Sequence, residues 1–178
     1  MTEKIKIAVV GLGYVGMSLA VLLGRTQDVV AHDIDVDRVA TVNSGRATVF
    51  DPAMEEVMAC EKLSLSATTD PAIAYADARY IIVATPTDYD PKKNYFNTLS
   101  VESVIAQARS YNPTATIVIK STIPFGFTRQ IRQARGDENI LFSPEFLREG
   151  QALHDNLYPS RILVGGHSAE ALHFAQML

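Results

Sequence analysis

The fold is decided by residues 5–33, IKIAVVGLGYVGMSLAVLLGRTQDVVAHD. The apolar run from Ile5 to Val10 is rich in β-branched residues, which favours a buried strand. A helical pattern follows from about Tyr14 to Arg25, and a second strand is expected from Val29 to His32. A strand, a helix and a strand in this order predict a βαβ unit, in which the two strands lie parallel.

The rest of the chain repeats this alternation of short strands and helices. Further strands are expected near Leu63 to Ala67, Tyr80 to Ala84, Thr116 to Ile119, Ile140 to Phe142 and Ile162 to Val164. The segment from Thr85 to Thr98 is expected to be a polar loop. We therefore predict one α/β domain over residues 1–178, a Rossmann-type doubly wound, mostly parallel sheet with helices on both faces.

The turn between the first strand and the first helix, residues 11–16, reads GLGYVG and matches the pattern G-x-G-x-x-G. In this context Gly11 permits a tight turn, Gly13 lets the backbone approach a pyrophosphate, and Gly16 lets the helix pack closely. The helix N-terminus offers free N–H groups and a positive dipole to phosphates. The turn therefore predicts a dinucleotide cofactor.

An acidic residue stands where the adenosine ribose of that cofactor is expected. Asp33 ends the second strand, 22 residues after Gly11. A carboxylate there accepts both ribose hydroxyls and repels a 2′-phosphate, which favours NAD over NADP. Arg38 leaves this choice open, because a nearby guanidinium can also hold a 2′-phosphate. Asp33 also has a structural alternative, as the N-cap of the next helix.

Composition and charge argue against several other classes of function. The net charge of −4 gives no basic face for nucleic acid, and no apolar run approaches the ~20 residues that span a bilayer. The N-terminus is not a signal peptide, and Cys60, the single cysteine, forms no internal disulfide. We expect a cytoplasmic protein in which Cys60 is a packing residue. The four histidines lack metal-ligand spacing, so no metal site is predicted.

Three later segments are much more specific than the glycine turn: residues 84–89 (ATPTDY), 120–126 (KSTIPFG) and 142–150 (FSPEFLREG). With residues 94–98 (NYFNT) and 155–161 (DNLYPSR), they resemble the UDP-glucose/GDP-mannose dehydrogenase family. The resemblance covers nearly all of this chain and the N-terminal half of such an enzyme. It implies oxidation of a sugar C6 hydroxyl to a carboxylate by two NAD, through a thiohemiacetal and then a thioester on a cysteine.

The resemblance also implies roles for individual residues. Thr122 would hold the catalytic water and Glu145 would act as a base in thioester hydrolysis. Substrate binding would involve Glu145, Phe146, Leu147, Arg148 and Glu149. Cofactor contacts would come from Tyr14, Val15, Asp33, Arg38, Thr87, Thr122 and Glu149, together with Gly11, Gly13 and Gly16. Two plain structural readings stay open: Thr122 as a strand-end turn residue and Glu145 as a helix-start acid.

The family's nucleophilic cysteine, with an active-site lysine and asparagine, would lie beyond Leu178. The last helix, after Ser168, shows no C-terminal stop signal, so a further domain is expected. We expect this chain to bind NAD without turnover, as a monomer compatible with a homodimeric parent. Residues 157–161 favour UDP-glucose as the substrate.

Several other functions stay open at this point. They are oxidation of GDP-mannose or a UDP-N-acetylhexosamine, a non-catalytic NAD sensor, and a hydroxyacid dehydrogenase acting by direct hydride transfer. A glycine-flanked cysteine further along the chain would favour an enzyme over a sensor. A hydroxyacid dehydrogenase explains the glycine turn and Asp33 but leaves the segment from Ser143 to Gly150 unexplained.

Overall fold

The computed structural model describes residues 4–91 and 95–178, and its strands confirm the predicted fold class. Six of them form one sheet in the spatial order β3-β2-β1-β4-β7-β8, and every neighbouring pair is parallel. The strands are β1 (Lys6–Val10), β2 (Asp28–His32), β3 (Leu65–Thr68), β4 (Tyr80–Val83), β5 (Asp88–Asp90), β6 (Tyr95–Asn97), β7 (Thr116–Ile119) and β8 (Ile140–Phe142).

Helices cover both faces of this sheet. They are α1 (Tyr14–Gly24), α2 (Val36–Asn43), α3 (Pro52–Cys60), α4 (Pro71–Tyr75), α5 (Leu99–Tyr111), α6 (Phe127–Arg135), α7 (Ala152–Leu157) and α8 (Ala169–Met177). Over the two described stretches of the chain, no helix is long and apolar enough to cross a membrane.

Alternation along the strands divides the core into two layers. In β1, Ala8 and Val10 pack on one face with α4, α5 and α6, whereas Ile7 and Val9 pack on the other with α1 and α8. Successive side chains of a strand point to opposite faces, so a strand that is covered on both faces has a nearly continuous apolar sequence. For this reason β1, β4 and β7 can be predicted from the sequence. The change of direction between β1 and β4 leaves a crevice at their carboxyl ends, where such folds bind ligands.

Asp51 ties two helices together beneath this crevice. It is fully buried, and one carboxylate oxygen accepts the Met54 N–H at the start of α3 (3.2 Å). The other oxygen accepts the Leu153 N–H at the start of α7 (3.1 Å). Because α7 follows the segment after β8, this double cap anchors that segment against α3.

The prediction of a loop from Thr85 to Thr98 is wrong in part. A hairpin, β5 and β6, pairs Asp88 with Asn97 in antiparallel register. Strands of three residues are too short for a sequence pattern to reveal alternation, and main-chain hydrogen bonds pair them. Asn94, part of the motif quoted above, lies outside the described residues.

The predicted strand from Ile162 to Val164 is also wrong. This stretch meets the sheet only through an isolated antiparallel bridge, in which the Gly165 N–H donates to the Phe142 carbonyl (2.7 Å). Ile162 and Leu163 keep 40% and 47% of their surface exposed. An apolar run of this length is compatible with a strand or with an edge segment, and only the position beyond β8 decides between them.

Two side chains expected to be packed are exposed. Cys60 ends α3 on its exposed side, because the buried stripe of that helix is centred on Met54. The spacing of Val36, Val39 and Val42 predicts a helix with the three valines on one packed face. Val36 is nevertheless 66% exposed, while Val42 is buried. A step of three residues falls about 60° short of a helical turn, so Val36 and Val42 lie about 120° apart.

Candidate functional site

The turn after β1 depends on Gly11. Its φ is +92°, a conformation that side-chain-bearing residues rarely adopt, and its N–H donates to the His32 carbonyl of β2 (2.9 Å). A Cβ at this position would lie 2.7 Å from the Ala84 carbonyl oxygen. The turn is therefore pressed between the ends of β2 and β4, which only glycine permits.

Gly16 packs the first turn of α1 onto that same loop. A Cβ on Gly16 would lie 1.7 Å from the Gly11 carbonyl oxygen, well inside van der Waals contact. The helix therefore starts close above the carboxyl end of β1, and its N-terminus points into the crevice.

The start of α1 has no cap of its own. Gly13 is the N-cap residue, no side chain caps the helix in the described structure, and its first turn carries no acidic residue. Space is also free here, since a Cβ on Gly13 would meet nothing within 4 Å. Uncapped N–H groups beside open space suit an anionic group such as a pyrophosphate. Tyr14 and Val15, half-buried, flank this opening.

Asp33 lies at the end of β2, next to the turn. It is 7% exposed, and its carboxylate accepts the Leu12 N–H (2.7 Å) and the Asp35 N–H (3.0 Å). A carboxylate has about four acceptor positions, so two remain for ribose hydroxyls. Arg38 is half-exposed, 3.6 Å from Asp33.

The N-cap of α2 is Asp35 and not Asp33. The Asp35 carboxylate accepts the N–H groups of Asp37 (2.9 Å) and Arg38 (3.4 Å). The structural alternative for Asp33 as the N-cap is therefore wrong. Its carboxylate joins the glycine turn, through the Leu12 N–H, to the Asp35 N–H that precedes α2.

Hydroxyl side chains link the loops after β4 and β7. The Thr87 hydroxyl donates to the Thr122 carbonyl (2.8 Å), and the Ser121 hydroxyl donates to the Thr85 carbonyl (2.6 Å). The structure thus brings Thr87 and Thr122 together at the crevice edge. Thr122 is exposed there, so its hydroxyl is accessible to a ligand or to water.

A buried ion pair joins the ends of β7 and β8. The Lys120 ammonium lies 3.0 Å from a Glu145 carboxylate oxygen and donates to the Ser143 hydroxyl at 3.2 Å. The Lys120 side chain is only 3% exposed and that of Glu145 16%. Burial lowers the pKa of Lys120, and the Glu145 carboxylate opposes that shift.

Lys120 is a site residue that the sequence interpretation missed. A sequence signal for Lys120 exists, because this lysine directly follows the predicted strand β7, and the structure buries all four residues of that strand. A lysine at the carboxyl end of such a strand points either to solvent or into the crevice, and both directions fit the same sequence.

The segment from Glu145 to Glu149 sends its side chains in different directions. Phe146 is 46% exposed, with the Arg161 guanidinium 4.0 Å from its ring centroid, and Leu147 packs against the core under α1 and α7. Arg148 forms a bidentate ion pair with Asp155, whose oxygen also accepts the Arg148 N–H. Glu149 is exposed.

The Asp155 partnership gives Arg148 a structural role beside the predicted one. Hydrogen bonds from Arg148 hold the pKa of Asp155 below its usual range. The pair connects Arg148, which precedes α7, to Asp155 within α7. This connection holds the segment that carries Glu145 against the helix.

Chain comparisons identify relatives of this architecture. A model for the NAD binding domain of the UDP-glucose/GDP-mannose dehydrogenase family matches residues 5–178. The UDP-glucose 6-dehydrogenase of Streptococcus pneumoniae is 51% identical over 160 residues, which cover 90% of this chain and 41% of that protein. The UDP-glucose 6-dehydrogenase of Campylobacter jejuni is 42% identical over 165 residues, 92% of this chain and 42% of that protein. The chain spans about two fifths of the length of these relatives.

Solved structures give the same result for the fold. A UDP-glucose dehydrogenase from Pyrobaculum islandicum superposes with a TM-score of 0.84 at 27% identity, covering 99% of this chain and 44% of its own. A GDP-mannose dehydrogenase from Pseudomonas aeruginosa superposes with a TM-score of 0.82 at 24% identity, covering 96% and 43%.

Proposed function

The chain belongs to the UDP-glucose/GDP-mannose dehydrogenase family, and on this premise we propose that it is the NAD-binding part of an enzyme that oxidises UDP-glucose to UDP-glucuronate. One observation carries the proposal: the glycine turn, Thr122 and Glu145 share the carboxyl edge of one sheet. That edge is where a doubly wound sheet holds its ligands.

The residues of the turn fit a dinucleotide. The uncapped start of α1 and the free space beside Gly13 suit its pyrophosphate. Asp33 keeps acceptor capacity for the adenosine ribose, and its negative charge disfavours a 2′-phosphate. The Arg38 guanidinium lies 3.6 Å from this carboxylate, so its positive charge is partly neutralised by Asp33. We therefore assign the site to NAD rather than NADP.

The chemistry divides between the cofactor and the residues of the chain. When bound, NAD would supply the hydride acceptor for each of two oxidation steps. For the overall reaction, one alcohol, two NAD and one water give one carboxylate, two NADH and three protons. The protein must therefore hold the sugar C6 that is to be oxidised near the nicotinamide and exclude water during hydride transfer. It must later admit one water molecule for hydrolysis.

We assign the hydrolytic half of this task to Thr122 and Glu145. Thr122 is exposed and the Glu145 side chain keeps 16% of its surface accessible, which supports contact of both with water. In this proposal the Thr122 hydroxyl orients a water molecule and the Glu145 carboxylate accepts its proton. The thioester that this water would attack forms on a cysteine that we place outside these 178 residues. Cys60 cannot serve, because it lies on the exposed end of α3.

The isolated chain tests the cofactor assignment. Calorimetric titration with NAD and with NADP should show binding of NAD and at least tenfold weaker binding of NADP. No NADH should form when UDP-glucose is added with NAD. NADP binding as tight as NAD would overturn the role of Asp33, and turnover by the chain would overturn the assignment of the nucleophile.

The full-length protein tests the substrate. With limiting UDP-glucose, absorbance at 340 nm should rise by two NADH per sugar, and GDP-mannose should give none. Turnover with GDP-mannose or a UDP-N-acetylhexosamine alone would move the protein to another substrate within its family. NAD binding without turnover of any nucleotide sugar would overturn the proposed activity in favour of a cofactor sensor.

A further inference from the structure

Lys120 is a charged side chain buried at a place where the fold does not need one. It follows β7, whose four residues are all buried, and its ammonium turns inward although the strand ends at an open edge. Lysines at such edges usually extend the ammonium to water. A buried ion pair is often no more stabilising than apolar residues of similar size. Stability therefore does not explain the placement of Lys120.

The partners of Lys120 suggest what the placement serves. One Glu145 oxygen lies 3.0 Å from the ammonium, while the other accepts the Phe146 N–H (3.1 Å). Because each oxygen is held by a separate donor, the carboxylate plane has one preferred orientation. The Ser143 hydroxyl, 3.2 Å from the ammonium, fixes the lysine in turn.

A narrow cleft opens beside this pair. Its volume is about 20 Å³, and its lining includes Asn156 and Arg161 as well as Lys120 and Glu145. A volume of this size admits a water molecule. The oriented carboxylate thus borders a space that water can enter.

We propose that Lys120 is a positioning residue for hydrolysis, which holds the Glu145 carboxylate in the orientation that accepts a proton from the attacking water. This inference rests on the proposed function, because it assumes that a thioester is hydrolysed at this edge of the sheet. Lys120 does not touch the reacting atoms in this account. It acts through Glu145, so its removal should slow hydrolysis and leave hydride transfer intact.

The test uses the full-length protein with the substitutions Lys120→Met, Glu145→Gln and the double variant. Lys62→Met is the matched control, since it removes an exposed lysine after α3. Stopped-flow absorbance at 340 nm separates the first NADH burst from steady-state turnover. Mass spectrometry of the quenched enzyme measures the covalent sugar adduct.

We expect Lys120→Met to keep a burst of wild-type size and NAD affinity, while steady-state turnover falls at least tenfold and the adduct accumulates. A general base contributes about 10²–10⁴-fold, so a mispositioned base should lose part of that factor. The double variant should be no slower than Glu145→Gln. Lys62→Met should match the wild type.

Specific outcomes overturn the proposal. Steady-state turnover of Lys120→Met within twofold of wild type, or equal loss of burst and turnover in a variant that is folded at the assay temperature, would do so. Should Lys120→Met fail to fold, Lys120→Gln, which keeps a neutral donor, replaces it under the same criteria. A wild-type enzyme that makes no NADH from any nucleotide sugar would overturn the proposed function itself, a result distinct from normal turnover in the lysine variant.

Discussion

The glycine turn and the Lys120–Glu145 pair lie at the same edge of one sheet but are built from opposite materials. The turn is formed by main-chain atoms. The Gly11 N–H donates to the His32 carbonyl at 2.9 Å, and the space beside Gly13 is free of side chains. The pair is made of side chains that reach across from β7 and β8. The first region depends on side chains being absent, and the second on two being present together.

This difference determines how each region responds to substitution. An added methyl group damages the turn through steric overlap, since backbone atoms cannot move aside cheaply. A removed group damages the pair electrostatically, because the remaining charge loses its partner. The four predictions below use this contrast, from the largest expected effect to the smallest.

Gly16→Ala should be the most damaging change to the turn. The new Cβ would overlap the Gly11 carbonyl oxygen at 1.7 Å, so helix α1 must shift. We expect a loss of ~3 kcal/mol or more in the free energy of unfolding, and loss of NAD binding. Urea denaturation and calorimetry of the isolated chain measure both.

The control for this change is Gly24→Ala on the same helix. A Cβ there meets its nearest atom at 3.4 Å, an ordinary contact, and alanine favours a helix over glycine by about 0.5–1 kcal/mol. We expect Gly24→Ala to be neutral or stabilising. Equal destabilisation by both substitutions would show that the close approach at Gly16 is not the decisive feature.

Lys120→Met should destabilise the isolated chain by about 2–3 kcal/mol, because it leaves a partly buried carboxylate without its cation. This is below the range for fully buried pairs, since Glu145 keeps some contact with solvent. Adding Glu145→Gln should restore at least ~1 kcal/mol, because no unpaired charge then remains. Urea unfolding of the single and double variants measures the coupling. Strictly additive losses would mean that the two side chains do not interact.

Gly13→Ala should separate binding from stability. No atom of the described residues lies within 4 Å of the new Cβ, so we expect the free energy of unfolding to change by less than ~1 kcal/mol. The methyl group would occupy the space where the pyrophosphate approaches, so NAD affinity should fall at least tenfold. Calorimetric titration beside a melting curve tests this. Unchanged affinity would mean that the phosphates do not approach Gly13.

Asp155→Asn should have the smallest effect on stability, and the pH dependence of that effect should identify its cause. Bonds from Arg148 lower the pKa of Asp155 below its ordinary value of 3.8. A carboxyl whose pKa is lower in the folded state stabilises the fold above its unfolded pKa, and this contribution is lost as pH falls through the folded pKa. The melting temperature of the variant should therefore lie below wild type at pH 7 and approach it below pH 4.

Arg148→Gln should reproduce that profile, since it removes the same interaction from the other side. A difference between variant and wild type that persists unchanged into acid would mean that the ion pair does not contribute. The pair is exposed on the arginine side, which is why its effect ranks last.

Much of the fold was predictable because local patterns encode it. Buried parallel strands have continuous apolar runs, so β1, β4, β7 and β8 were found within a residue or two of their observed ends. The hairpin of β5 and β6 was missed because its pairing depends on main-chain hydrogen bonds between strands of only three residues. The run at residues 162–164 was misassigned because its position beyond the sheet edge cannot be read from its own composition.

The candidate site divides in the same way. By itself, the sequence determined the glycine turn and Asp33, because the geometry of a turn and the end of a neighbouring strand follow from residues close together in the chain. Only the tertiary structure decided that Lys120 meets Ser143 and Glu145, 23 and 25 residues later, and that Asp51 caps Leu153, 102 residues away. A buried polar group needs a partner within about 3 Å, and spatial proximity, which the packing of distant elements creates, decides which residue supplies it.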